Sequence, residues 1–292
     1  MSDRPSADGP TETQQFGLEP ETGRTIEERI RERVDVTVPD RHNPRLRELM
    51  ARVNQDDDLY ALWTASNVNA IERLGMTDHG PVHVKIVLNI GVRLLRLLMD
   101  ADVIPAVVEN YGMEREDAEV VVALAALLHD LGMSIHRVDH EAYSLFVAQR
   151  KLDELLPHVY DTGRATIIRS EILHAIISHR TGGKPFTIEA GVVRIADALD
   201  MAKGRSRIPF EAGSASIHSV SAAAIEEVKI ERGDERPIRI RILMSNSAGV
   251  FQLDQLFRDK LRGSGLEPYV RMEAELIGEG ETEKRLFTEF RI

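Results

Sequence analysis

Residues 120–132 read VVVALAALLHDLG, and this stretch decides the fold. Its first nine residues are apolar all round a helix, which predicts a central buried helix over Asp117–Leu131. His129 and Asp130 interrupt the apolar run at its end. A buried His–Asp pair costs free energy unless it has partners, and either a divalent cation or backbone groups at a helix end can supply them. Taken alone, the pair does not decide between these alternatives.

The sequence on both sides of this stretch predicts a mainly α chain. Apolar residues recur at helical spacing, and Pro, Gly and capping residues separate the segments. The other predicted helices cover Pro44–Asn54, Asp57–Leu74, a helix that starts after a cap at Thr77 or Asp78, His140–Leu156, Arg164–His179 and Glu189–Ala202.

The C-terminal pattern differs and predicts a small α+β region in the order β-β-α-β-β. Residues 238–244 read IRIRILM, and such alternation is typical of a strand with one buried face. The predicted strands are Glu226–Glu231, Pro237–Met244, Tyr269–Ile277 and Leu286–Ile292, with a helix over Ala248–Leu261 and a turn at Gly278–Gly280.

These patterns divide the chain into four parts. We predict a disordered tail over 1–24, an N-terminal extension over 25–43, a helical domain over 44–210 and an α+β domain over 211–292. Within the extension, Thr25–Val38 is predicted to form a helix or a helix followed by a strand, which Pro39 ends.

Composition excludes several classes of protein and site. The chain has no cysteine, so disulfides and thiolate metal sites are excluded and any metal must sit on His, Asp or Glu. The net charge of −11 argues against binding of nucleic-acid polymers. No apolar run is long enough to span a bilayer, and the polar N-terminus is not a signal peptide. We therefore expect a cytoplasmic protein.

Four ligand-type residues come from three predicted helices. They are His83, His129, Asp130 and Asp197. Imidazole and carboxylate groups suit Mn, Fe, Co, Ni or Zn, and carboxylate-rich sites also suit Mg. A bound cation can polarise a phosphoryl oxygen and lower the pKa of a coordinated water.

Three segments resemble the successive motifs of the HD-domain superfamily of metal-dependent phosphohydrolases. They are TDHGPVHVKIV (77–87), LAALLHDLGM (124–133) and VRIADALD (193–200), in the order of the family. The resemblance implies an HD-type helical domain in which His83, His129, Asp130 and Asp197 bind the metal, and in which Asp130 also orients or activates the attacking water.

His79 is the alternative to His83 as the first ligand. The two residues are four apart, so on one helix they would share a face. We prefer His83, because the apolar positions after it match the spacing of the family better. His79 would then contact the metal ligands without binding the metal, or it would face the substrate. The alternative is that it only caps the helix.

Further histidines offer a second metal position. By resemblance to HD proteins that bind two metals, His140 and His179 match the extra ligands best, and His174 is a further candidate although it points partly away from His179. The alternative is that these are ordinary core or surface histidines, which is the preferred interpretation for His136.

Basic residues near the last two motifs could hold a substrate phosphate. Arg180, Lys203 and Arg205 are the candidates, and the alternative is a solvated basic loop or pairing with helix ends. No GYP tripeptide follows His179, which argues against hydrolysis of cyclic dinucleotides.

The sequence therefore favours a metal-dependent phosphohydrolase with one or two divalent ions. It would hydrolyse a small phosphate ester, with nucleotides among the candidates, by means of a metal-activated water. The alternative is an HD-type ligand-binding or signalling module that keeps its metal without turnover. The C-terminal region would form a homodimer contact or a lid over the site.

Overall fold

The computed structural model describes residues 25–31, 33–40, 42–180, 182–201, 221, 223–251, 253, 257–277 and 284–287. Helices dominate, and a small sheet follows them, which confirms the predicted mainly α fold with an α+β C-terminal part. The α-helices are α1 (Ile26–Arg31), α2 (Pro44–Val53), α3 (Asp57–Asn67), α4 (Pro81–Asp100), α5 (Ala106–Tyr111), α6 (Arg115–Leu128), α7 (His140–Leu155), α8 (Thr162–Ser178), α9 (Ile188–Leu199) and α10 (Arg258–Leu261).

Helix α6 is the centre of the helical part, as its apolar sequence predicts. Every residue from Asp117 to Leu128 is buried, and α4, α8 and α9 pack around it. Its polar start is satisfied, because the Tyr160 hydroxyl donates to Asp117 at 2.7 Å and Arg45 lies 3.0 Å from the same carboxylate. The helix ends at Leu128, so His129 and Asp130 lie in the turn that follows it.

The start of α4 differs from the prediction. The helix begins at Pro81 with Gly80 as its N-cap residue, and not after a cap at Thr77 or Asp78. The Asp78 carboxylate instead accepts the Gly80 backbone N–H at 2.5 Å, which holds the chain in a turn before the helix. Proline suits the first helical position because its missing N–H would be unpaired there in any case.

Two further elements differ from the predicted helices. The predicted helix 57–74 consists of α3 and a π-helical segment over Val68–Arg73. Helix α5 was missed because six residues are too short to show a periodic pattern. The buried Glu189 carboxylate accepts the backbone N–H groups of Ala106 and Val107 at the start of α5, at 3.1 and 3.0 Å.

Within the described part of the C-terminal region, the sheet has four strands in the order β1-β2-β3-β4. They are β1 (Ile225–Arg232), β2 (Ile238–Met244), β3 (Val270–Leu276) and β4 (Lys284–Phe287). Strands β2 and β3 are parallel, whereas the two outer pairs are antiparallel. A parallel pair needs a crossover connection, and α10 lies within it. The predicted turn at 278–280 and the end of the last predicted strand lie outside the described residues.

The sheet and the helical part share one hydrophobic core. Alternate residues of β2, from Ile238 to Met244, are buried and belong to the same apolar cluster as α4, α6 and α9. Helix α4 contacts β1 and β2, and α10 contacts α9. The C-terminal part is therefore packed directly against the helices that carry the predicted ligands.

The N-terminal extension forms α1 and an extended segment, in which Val36 is buried and donates its N–H to Asn54. Residues 1–24 and the predicted boundary at 210/211 lie outside the described residues. Among the helices that the structure describes, none combines the length and the apolarity that a membrane crossing requires.

Candidate metal centre

Histidine and aspartate side chains from five elements converge beside the end of α6. His83 is the third residue of α4, His129 and Asp130 follow α6, His140 begins α7, His179 follows α8, and Asp197 lies on α9. All of these residues are buried except Asp197, whose side chain is 16% exposed.

The four residues predicted to share a metal lie around one point. The Nε2 atoms of His83 and His129 are 3.2 Å apart, and each lies 3.3 Å from the Asp130 Oδ2 atom. The Asp197 Oδ1 atom lies 3.7 Å from the first nitrogen and 3.8 Å from the second. Ligand atoms bound about 2.0–2.2 Å from one cation lie about 3 Å from one another, so these separations are close to those of a metal site.

Three of the histidines are held by their Nδ1 atoms. His129 donates to the Ala126 carbonyl at 2.8 Å and His179 to the Ile176 carbonyl at 2.6 Å. Both carbonyls belong to the last turn of a helix, where they lack a helical partner. His83 donates through Nδ1 to the Asp200 carboxylate at 2.6 Å. A neutral imidazole with its proton on Nδ1 has a free lone pair on Nε2, which is the form that binds metals.

This arrangement fits a divalent cation. In their neutral forms, two imidazoles whose Nε2 atoms face each other at 3.2 Å and whose Nδ1 atoms already donate would present two lone pairs to one another. The carboxylates of Asp130 and Asp197 face the same two nitrogen atoms. A cation between these groups would satisfy both lone pairs and both negative charges, as buried ligands require.

Asp130 turns one oxygen to each side of the cluster. Its Oδ2 atom accepts from His79 Nδ1 at 2.6 Å and faces His83 and His129. Its Oδ1 atom lies 3.2 Å from His140 Nε2 and 3.7 Å from His179 Nε2. The carboxylate therefore lies between two sets of nitrogen atoms.

The two carboxylates of the cluster have lowered pKa values, which favours their ionised forms. Burial alone would raise the pKa of Asp130, but His129 and His79 beside it outweigh burial and hold that pKa well below its usual value. Burial likewise opposes ionisation of Asp197, whereas the positive charge of Lys260 and the neighbouring His129 lower its pKa. For His179, burial and the neighbouring His129 hold the pKa well below its usual value, which keeps the imidazole neutral.

Comparison with known proteins gives the family. The family profile of the HD domain matches residues 79–202. A protein of Methanocaldococcus jannaschii named "Uncharacterized protein MJ1020" is 42% identical over 227 residues, which cover 78% of this chain and 86% of the relative. The chain belongs to the HD-domain superfamily of metal-dependent phosphohydrolases. The adjacent His129 and Asp130 form the dipeptide after which the HD domain is named.

His79 joins the cluster from the turn before α4, and not from the helix itself as predicted. His79 precedes α4, so the premise that it shares a helix face with His83 was wrong. The two rings are nevertheless 5.4 Å apart, and His79 donates to Asp130. His83 is the residue whose Nε2 faces His129 and Asp197.

The structure does not bring His174 to the cluster. Its ring stacks on Phe186 with centroids 4.8 Å apart, and its Nε2 atom accepts the Phe186 backbone N–H at 3.0 Å. His174 is five residues before His179 on the same helix, so the two side chains point in different directions. The prediction that grouped His174 with the second metal ligands is therefore corrected. Burial lowers the pKa of His174.

A cleft of about 510 Å³ borders the cluster. Its walls include the predicted phosphate ligand Arg180 and also Arg137, Asp139 and Glu141. Glu141 also belongs to a potential ligand group with His140 and His179, so the cleft opens beside that end of the cluster. The other two predicted phosphate ligands, Lys203 and Arg205, lie outside the described residues.

Sequence reasoning missed several polar residues at this site, and one of them is Glu141, which directly follows the predicted ligand His140. Asp200 lies three residues after Asp197 at the end of α9. A search for carboxylates that accept the second N–H group of a ligating histidine could have found it. Arg137 gives no comparable signal, because it is an ordinary charged residue in a turn. Lys260 lies 63 residues after Asp197 and outside the matched HD segment, and its Nζ atom is 3.3 Å from the Asp197 Oδ2 atom.

Proposed function

We propose that this HD protein hydrolyses a small phosphate ester at a divalent metal held by His83, His129, Asp130 and Asp197. The observation that carries the proposal is the pair of facing Nε2 atoms, 3.2 Å apart and both within 3.3 Å of the Asp130 carboxylate. Membership of the metal-dependent phosphohydrolase superfamily supports the same chemistry.

A second metal position beside the first is part of the proposal. His140 and His179 face the other oxygen of Asp130, and Glu141 completes a group whose ligand atoms lie within 4.8 Å of one another. Asp130 would then bridge the two positions. Because His140 and His179 come from different helices, this position depends on the packing of α7 against α8.

The adjoining cleft supports a small anionic substrate. Its volume of about 510 Å³ falls within the range of small-molecule sites. Arg180 and Arg137 on its wall can bind phosphate oxygens in a bidentate manner. Asp139 and Glu141 on the same wall can accept hydrogen bonds from hydroxyl groups, so a phosphate ester with a sugar, such as a nucleotide, suits the cleft.

The residues then have distinct parts in the reaction. A bound divalent cation supplies a Lewis acid for the phosphoryl oxygen and lowers the pKa of a coordinated water. Asp130, whose pKa is lowered by the surrounding histidines, would orient the attacking water. Arg180 and Arg137 hold the phosphate and stabilise the negative charge that develops on it.

The test combines elemental analysis with a screen of nucleotides and other phosphate esters. We expect bound divalent metal and phosphate release in the wild-type protein, and loss of both in Asp130→Ala. His174→Ala is the matched control, because it removes an imidazole of α8 that lies outside the cluster, and it should keep both properties.

Two outcomes would contradict the proposal. A metal content unchanged by Asp130→Ala would refute the proposed centre. Bound metal, with stability lost on chelation but no hydrolysis of any ester in the screen, would instead indicate an HD-type ligand-binding or signalling module.

A further inference from the structure

A lysine from the C-terminal region reaches the proposed metal centre. Lys260 lies on α10, outside the matched HD segment. Its ammonium donates to the His179 backbone carbonyl and lies 3.3 Å from the Asp197 Oδ2 atom. One cation thus contacts the carboxylate of one proposed ligand and the backbone of another.

The backbone of Lys260 is fixed by a buried arginine of α9. Arg194, which is 2% exposed, donates through Nε to the Lys260 carbonyl at 2.8 Å and through Nη2 to the Asp259 carbonyl at 3.2 Å. Its Nη1 atom donates to the carbonyls of Ser178 and Arg180 on either side of His179. A guanidinium has five donors in a rigid plane, so Arg194 fastens α10 to the end of α8.

Lys260 contacts one oxygen of Asp197, and a metal held with His83 and His129 would use the other. The Oδ1 atom faces the Nε2 atoms of His83 and His129, whereas the Oδ2 atom faces the ammonium. The ammonium also donates to the His179 backbone carbonyl, and not to its imidazole. A metal on Oδ1 and the ammonium on Oδ2 can therefore be held together, without competition for one place.

We infer that Lys260 is a positioning residue of the metal centre, which holds the Asp197 carboxylate in the orientation that binds metal. The inference rests on the proposed function. It gives the C-terminal α+β region a part in the centre itself, because α10 lies outside the matched HD segment. Groups that orient a metal ligand typically contribute 10–100-fold to metal affinity.

The test is a Co²⁺ titration of the full-length, chelator-treated protein, followed by visible absorption. Lys260→Met should weaken the binding of at least one Co²⁺ by about 10–100-fold and change its d–d spectrum, because the Asp197 carboxylate is free to rotate. Lys260→Arg keeps a cationic donor and should restore most of the affinity. Lys229→Met is the matched control, because this lysine of β1 pairs with Glu227 and is 41% exposed.

Two other results for Lys260→Met would overturn the inference. Wild-type affinity and spectrum in Lys260→Met would overturn the inference, and so would tighter binding, which would mean that the ammonium competes with the metal. If Lys260→Met does not fold, Lys260→Gln replaces it with the same expectation, because the amide reaches one bond less far than the ammonium. A wild-type protein that binds no Co²⁺ would refute the proposed function rather than this inference alone.

Discussion

Replacing Gly132 with alanine should destabilise the protein and disturb the proposed second metal position. Gly132 follows the HD dipeptide, and an added Cβ would lie 2.5 Å from the Ser144 backbone nitrogen and 2.9 Å from the His140 carbonyl carbon. Ordinary contacts begin at 3.4 Å. The nearest atom is the His140 carbonyl oxygen, and clearing it would require the start of α7 to move by about 1.4 Å, since backbone atoms cannot rotate away as side chains can.

The size of the effect follows from these contacts. Overpacking of this kind costs about 1–3 kcal/mol. The hydrogen bond from the Gly132 N–H to the Ser144 hydroxyl, now 2.8 Å long, would also be lost or weakened, at about 0.5–1.5 kcal/mol. The expected loss in the free energy of unfolding is thus about 1.5–4.5 kcal/mol. His140, the first residue of α7, would move away from the Asp130 carboxylate.

The assay is urea unfolding of the metal-free protein, together with the metal content of the loaded protein. Gly163→Ala is the matched control, because it lies in α8 with its nearest neighbouring atom at 3.4 Å, and it should raise stability by about 0.4–1 kcal/mol. Gly132→Ala should lower stability and reduce the number of bound metal ions. If it is as stable as Gly163→Ala, a glycine at position 132 is not required for the close packing of α7 against the turn that follows α6.

Three further changes give separate expectations. Asp200→Ala removes the acceptor of the His83 Nδ1 proton and should weaken Co²⁺ binding about 10–100-fold in a titration; unchanged affinity would show that this contact does not orient the ligand. Lys151→Met removes a buried ammonium that lies 2.9 Å from Asp56 and should cost about 1–3 kcal/mol in urea unfolding, whereas an unaltered midpoint would contradict this. Burial raises the pKa of Glu189 above its ordinary value of 4.5, so its contribution to stability is greatest below pH 4.5 and declines as pH rises through the raised pKa. The stability of the wild type relative to Glu189→Gln should therefore fall as the pH rises above 4.5, and a difference that does not change with pH would refute the raised pKa of Glu189.

The central helix and the mainly α fold were predictable because their signals are local. The run before His129 is apolar on all sides of the helix, so its burial follows from composition alone. The alternation of residues 238–244 is local in the same way, and these residues form β2 with alternate side chains buried. Short elements such as α5 carry too few residues for a period to be read.

The convergence of ligands was predictable by resemblance and not from periodicity. The approach of His83 to Asp197 depends on how α4 packs against α9, which no local pattern encodes. Helix geometry correctly warned that His174 points away from His179. Lys260 could not be predicted from the sequence, because its position beside Asp197 depends on the packing of α10 against α9. These two helices are far apart in the chain.

The proposed ligands belong to chain segments that are separated by most of the helical part, from His83 to Asp197. An ion bound to all of them would act as a cross-link between α4, α6 and α9, in the manner of a disulfide in a chain without cysteine. By mass action, a metal present at one hundred times its dissociation constant adds about 2.7 kcal/mol to the stability of the folded state. Scarcity of the metal would therefore lower the resistance of the whole bundle to unfolding as well as the proposed hydrolysis.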